Sequence, residues 1–133
     1  WQYVAFQNYS KNLEYSQNEY YLLKIERKDG SQFPDKNMLN DNEYRLMMEY
    51  FAFDFNESIF LIEEKDTLRV NSFHFENNYG MTPYLSFLFS FPSSNKNRDK
   101  YVYLDSDFLS INETLLFIDK KSIIKIPELK NND

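Results

Sequence analysis

The segment YLSFLFSF, residues 84–91, constrains the fold more than any other part of the chain. Leu85, Phe87, Phe89 and Phe91 alternate there with Tyr84, Ser86, Leu88 and Ser90. Successive side chains of an extended strand point to opposite faces, so the phenylalanines and Leu85 share one face. The other face is more polar. A helix would scatter the same rings around its circumference. The spacing therefore predicts a half-buried strand, and Pro92 ends it because proline lacks the N–H that a ladder needs.

The same period recurs elsewhere. In EYYLLKIERKDG (19–30), Tyr21, Leu23 and Ile25 alternate with Tyr20, Leu22 and Lys24, and Asp29-Gly30 supplies a turn. Residues 58–76 read as a hairpin. Ile59, Leu61 and Glu63 oppose Phe60, Ile62 and Glu64, and Lys65-Asp66 is the expected turn. Beyond it, Leu68, Val70, Ser72, His74 and Glu76 fall on one face, with Arg69, Asn71, Phe73 and Phe75 on the other. Shorter strands are expected over 2–9, 101–104, 114–119 and 122–127, with Lys120-Lys121 as the reversal between the last two. The polar stretches 10–18 and 31–42 read as connections.

Two signals compete over 40–55, NDNEYRLMMEYFAFDF. Asn40 and Glu43 fit a capping box, and Tyr44, Met47, Met48 and Phe51 have helical spacing. Phe51, Phe53 and Phe55, however, alternate with period two. The rings lead to the expectation of a long strand over 44–55 that opens with one helical turn.

About eight or nine strands with little helix signal imply an all-β, antiparallel sandwich or barrel. A β-rich α+β arrangement follows instead if 41–51 or 10–18 is helical. The length of 133 residues suits one domain, expected over 1–129 with a frayed tail at 130–133. The aromatic fraction of 19% invites a second reading, a sugar-binding surface of exposed rings. Abundant Asn, Lys, Phe, Tyr and Ile beside scarce Ala and Gly is also the bias of an AT-rich coding sequence. Because buried rings dominate core energetics, the rings are read first as core.

The chemistry narrows by subtraction. A net charge of −6 disfavours a nucleic-acid backbone or an anionic membrane as the main partner. The longest basic cluster, KNRDK at 96–100, is broken by Asp99 and reads as a solvated loop. No run approaches the roughly 18 apolar residues of a membrane span. His74 and Glu76 share a strand face, but one histidine and no cysteine make a poor zinc set. The expectation there is a partly buried imidazole bonded to Glu76 or to backbone, followed by a Tyr79-Gly80 turn. No serine sits in a nucleophile elbow for His74 to serve.

DSDFLSINE (105–113) resembles a calcium loop but lacks its glycine, and the position of the terminal glutamate holds Leu116. Asp105, Asp107 and Glu113 then read first as a solvated acidic turn, with a looser calcium site as the alternative. No pair among the 21 acidic residues stands out as a glycosidase pair. Sequons at Asn8, Asn56 and Asn112 barely exceed the roughly two that composition predicts. The chain is read as non-enzymatic and without cofactor.

Three further features carry a resemblance: the KDTL turn (65–68), the FHFENNYG run (73–80) leading to a proline and an apolar strand, and the closing KIPEL (125–129). With the segments 44–91 and 115–129 around them, they resemble uncharacterised extracytoplasmic lipoproteins of Bacteroidetes-type bacteria. The resemblance implies an anchor cysteine upstream of Trp1 and a periplasmic or cell-surface location; no direct membrane insertion by residues 1–133 is expected, because no apolar run is long enough. It carries over no site residues.

The leading expectation is an extracytoplasmic domain that binds another protein, as an accessory subunit of an envelope assembly. One alternative is a small acidic immunity or inhibitor protein that covers a basic toxin surface. Another is a carbohydrate-binding module. Loops carry function more often than strands. The candidate binding residues are therefore Glu76 and Tyr79 in 73–80, and Asp105 and Asp107 in 105–113.

Overall fold

The phenylalanine-rich strand lies at the centre of one sheet. In the computed structural model, which describes residues 18–92, 98–109 and 111–121, β5 (Tyr84–Pro92) pairs with β1 (Asn18–Glu26) on one side and β4 (Ser72–Glu76) on the other. A second sheet has the order β3-β2-β6-β7, from β2 (Ile59–Glu63), β3 (Asp66–Arg69), β6 (Lys100–Ser106) and β7 (Ile111–Ile118). Every pairing is antiparallel. The fold is the expected strand-rich, sandwich-like pair of sheets, in its α+β form because one helix is present. Seven strands occupy the described residues. The strands expected at 2–9 and 122–127, and the tail 130–133, lie outside them.

The core follows from alternation. The first sheet turns Tyr21, Leu23, Ile25, Leu85, Phe87, Phe89 and Phe91 inward, and all are buried. The second answers with Ile59, Leu61, Val102 and Leu104. Phe87 sits amid Phe55, Phe75 and Phe51, at centroid distances of 4.8, 5.2 and 5.5 Å. Edge-to-face and stacked contacts of this kind add to the burial term.

The expected strand over 44–55 is instead a helical run. Helix α1 (Asp41–Glu49) is followed by a wide π-type turn (Tyr50–Asp54) and a tight 3-10 turn (Phe55–Ser58). The local signals outweighed the apparent alternation. Glu43 N–H donates to Asn40 Oδ1 at 2.9 Å, and Asn40 N–H donates to the Glu43 carboxylate at 2.9 Å, closing a full capping box. Arg45 and Glu49 add an i,i+4 ion pair. Phe51 and Phe55, four residues apart, are both fully buried, whereas Phe53 between them is 75% exposed. The helical period was the real one, and Phe53 only imitated a strand.

The 58–76 hairpin differs in two respects. Its turn is Glu64-Lys65, one residue early, with Glu63 opposite Asp66 and Glu64 at φ 53°. Its second arm is split between two sheets. β3 stays with β2, while β4 crosses to β5, and Asn71 N–H bonds Ser90 O at 2.7 Å at the corner. The corner reverses the inward parity. Leu68 and Val70 before it, and Phe73 and Phe75 after it, all pack on the core.

Candidate functional site

The β4–β5 connection holds Tyr79, and its geometry is set by asparagines. Asn77 Oδ1 accepts from Tyr79 N–H at 2.9 Å, and Asn78 Oδ1 from Gly80 N–H at 3.0 Å. Asn78 also donates to Tyr84 O at 2.7 Å and to the Thr82 hydroxyl. These bonds hold Tyr79 at φ 54° and Gly80 at φ 80°, in the left-handed region. Residues 31–34 brace the turn from the side. Gln32 donates to Thr82 O at 2.9 Å, and Phe33 N–H donates to Pro83 O at 3.2 Å. A cleft of about 250 Å³ opens between this turn, residues 34–37 and α1. Tyr79, Asn77, Asp35, Lys36 and Asn37 line it, and Tyr44 and Met48 enter from the helix. Lys36 Nζ lies over the Tyr44 ring, 4.8 Å from its centroid.

Glu76 is exposed at the end of β4 opposite Ser86, outside this cleft. His74 shares its face, as expected, but is exposed rather than partly buried. It points away from the core because Phe73 and Phe75 take the inward positions.

Asp105 and Asp107 stand on the other sheet. Asp105 is exposed at the end of β6, where the Tyr103 hydroxyl donates to its carboxylate at 3.3 Å. Partial burial, then the charges of Asp105 and Glu113, push that hydroxyl above its ordinary pKa. The fold thus brings Asp105 and Glu113 together around Tyr103. Asp107 is exposed in the following turn, beside Phe108, which stacks on Tyr50 at 4.2 Å. The Tyr50 and Ser106 hydroxyls share a hydrogen bond of 2.6 Å that ties this turn to the helical segment.

Sequence reasoning did not single out the outer face of the same sheet. Tyr101 meets Phe117 at 5.3 Å, and Phe60 meets Tyr103 at 6.2 Å. Leu115 stands opposite Tyr103 in the β6–β7 register. Leu115, Phe117 and Tyr101 are 57%, 56% and 40% exposed. The available signal was TLLFI itself, which is apolar at both parities and so implies two apolar faces.

A polar cluster lies at one end of the interior. Lys100, assigned to a solvated loop by sequence, is fully buried, because it begins the inward row of β6 that continues through Val102 and Leu104. Its Nζ pairs with Glu19 Oε1 at 2.5 Å, and the Tyr21 hydroxyl donates to Glu19 Oε2 at 2.7 Å. Burial, then the neighbouring charges of Glu19 and Glu63, hold the Tyr21 hydroxyl far above its ordinary pKa. Glu63 is also buried, and its Oε1 meets no hydrogen-bond donor among the described residues. A charge removed from water in this way is tolerated when it is paired and hydrogen-bonded. Glu19 and Lys100 meet that condition by pairing across the two sheets.

No protein-family model matches the sequence, and neither a curated protein nor a solved structure matches the chain.

Proposed function

We propose that the chain is a non-enzymatic, extracytoplasmic protein-binding domain, an accessory subunit of an envelope assembly that seats its partner on the outer face of the β3-β2-β6-β7 sheet. The observation that carries this reading is the row of half-exposed apolar side chains there, Tyr101, Leu115 and Phe117, bordered by Asp105 and Glu113. An apolar centre with a charged rim, rich in aromatics, is the anatomy of a protein interface. The rim and the net charge of −6 select a partner with an apolar patch edged by lysine or arginine, and charge of this sign speeds the encounter. The extracytoplasmic location rests on the lipoprotein resemblance alone. An inhibitor covering a basic toxin would use the same face, and the convergence of Asp105 and Glu113 on Tyr103 favours that second reading.

Site-specific photo-cross-linking in the native envelope tests the proposal. A cross-linker replacing Leu115 should capture one partner through a lysine- or arginine-bearing peptide. The yield should fall when Phe117→Ser is added and when salt is raised. Equal labelling from position 88, on the outer face of the other sheet, overturns the proposal.

A further inference from the structure

We propose a second binding site, independent of the sheet face: the cleft between residues 34–37, α1 and the Asn77–Gly80 turn binds a neutral saccharide whose ring stacks on Tyr79. Tyr79 is 77% exposed, yet its backbone is fixed. A bulky residue at φ 54° is strained, and such strain persists where surrounding bonds over-determine it, often at ligand sites. Here the bonds from Asn77 and Asn78 do so, and they present an aromatic face at a set place on the cleft rim.

The rest of the lining selects the ligand. Asn37 and Asn77 bring side-chain amides, and an amide both donates and accepts, as does a sugar hydroxyl. Asn77 engages the Tyr79 N–H through Oδ1 and also lines the cleft. Asp35 and Lys36 cancel in charge, and Lys36 is drawn over Tyr44. A phosphate would want several cations or a fan of backbone N–H groups. A purely apolar ligand would leave the amides and charges of the lining unused, because Pro34, Tyr44, Met48, Tyr79 and Leu85 share the walls with Gln32, Asp35, Lys36, Asn37, Asn77 and Asn78. A pyranose has a C–H face for the negative face of the Tyr79 ring and hydroxyls at its edge for the amides. The cleft, about 250 Å³, lies below the roughly 300–1,000 Å³ of drug-sized sites and suits a single ring.

The test is an NMR titration of the whole chain with neutral oligosaccharides of glucose, galactose, mannose and N-acetylglucosamine. At least one should move the amide signals of Asn37, Asn77 and Gly80 saturably and leave Phe117 still. Tyr79→Phe should bind as the wild type does, and Tyr79→Ala should lose about tenfold or more in affinity. Tyr79→Gly guards against a folding artefact. It relieves the backbone strain, so it should melt higher and still fail to bind. The proposal is overturned if no neutral saccharide moves these signals, if Tyr79→Gly binds as the wild type does, or if inorganic phosphate moves the same signals more strongly.

Discussion

The two sheets share one interior and present unlike exteriors. Outside β1-β5-β4, the β4 edge is polar and exposed, while further in Ser86 and Ser90 are buried and Leu22 and Leu88 are half-buried. Lys24 lies 3.7 Å over the Tyr84 ring and pairs with Glu26, Ser72 shares a hydrogen bond with Ser90, and His74 and Glu76 are exposed. Outside β3-β2-β6-β7, the corresponding rows are Phe60 with Tyr103 and Tyr101 with Phe117. Packing the core asks nothing of either exterior. The exposed rings of the second sheet are the feature on which the proposed partner site rests.

The largest expected effect strikes what the sheets have in common. Lys100→Met removes the ammonium that pairs with the buried Glu19 carboxylate and should cost about 3–5 kcal/mol in urea unfolding. Glu19→Leu added to it should recover most of the loss, since a buried ion pair is replaceable by apolar groups. Both sheets should melt in one transition, and separate transitions would break the comparison at its root.

Alkali probes the same junction. The folded state holds the Tyr21 proton more tightly than the unfolded chain does, so this stability is complete below pH 10.0 and is lost as pH rises beyond it. The loss should be about 1.4 kcal/mol per pH unit, seen as a falling urea midpoint, and Tyr21→Phe should remove it. A Tyr21 phenolate forming in the folded protein alongside the exposed tyrosines would contradict the account.

Each sheet also carries one strained connection, Glu64 in one and Tyr79 in the other. Glu64→Gly and Tyr79→Gly should each raise stability by about 0.5–1 kcal/mol in chemical denaturation. A loss at either position would show that its side chain contributes more than the strain removes.

The smallest stability effects separate the exteriors most sharply. Phe117→Thr and His74→Ser should each shift stability by less than about 0.5 kcal/mol. Only Phe117→Thr should abolish capture of the partner.

Much of this was legible where one face alone meets water. The inward rows of β1 and β5 were read correctly; β1 alternates cleanly, whereas on the outer face of β5 Ser86 and Ser90 are buried as well. The segment 44–55 misled because Phe53, three-quarters exposed, completed a period that Phe51 and Phe55 keep only at helical spacing. Lys100 misled because a single residue's charge was read without the inward row it begins. Tyr79 was legible as part of a polar turn beside Gly80. Its neighbours across the cleft were not, since Asn37 and Tyr44 reach it only through the packing of distant segments. The exposed ladder of Tyr101, Leu115 and Phe117 needed the β6–β7 register, which no local pattern supplies.

The corner at Val70–Asn71 makes chain length there a discrete variable. Deleting or inserting one residue would rotate the whole of β4 by half a turn. Phe73 and Phe75 would then face solvent, and Ser72, His74 and Glu76 would be driven against Phe87. Homologous chains should therefore hold the length of this bend constant.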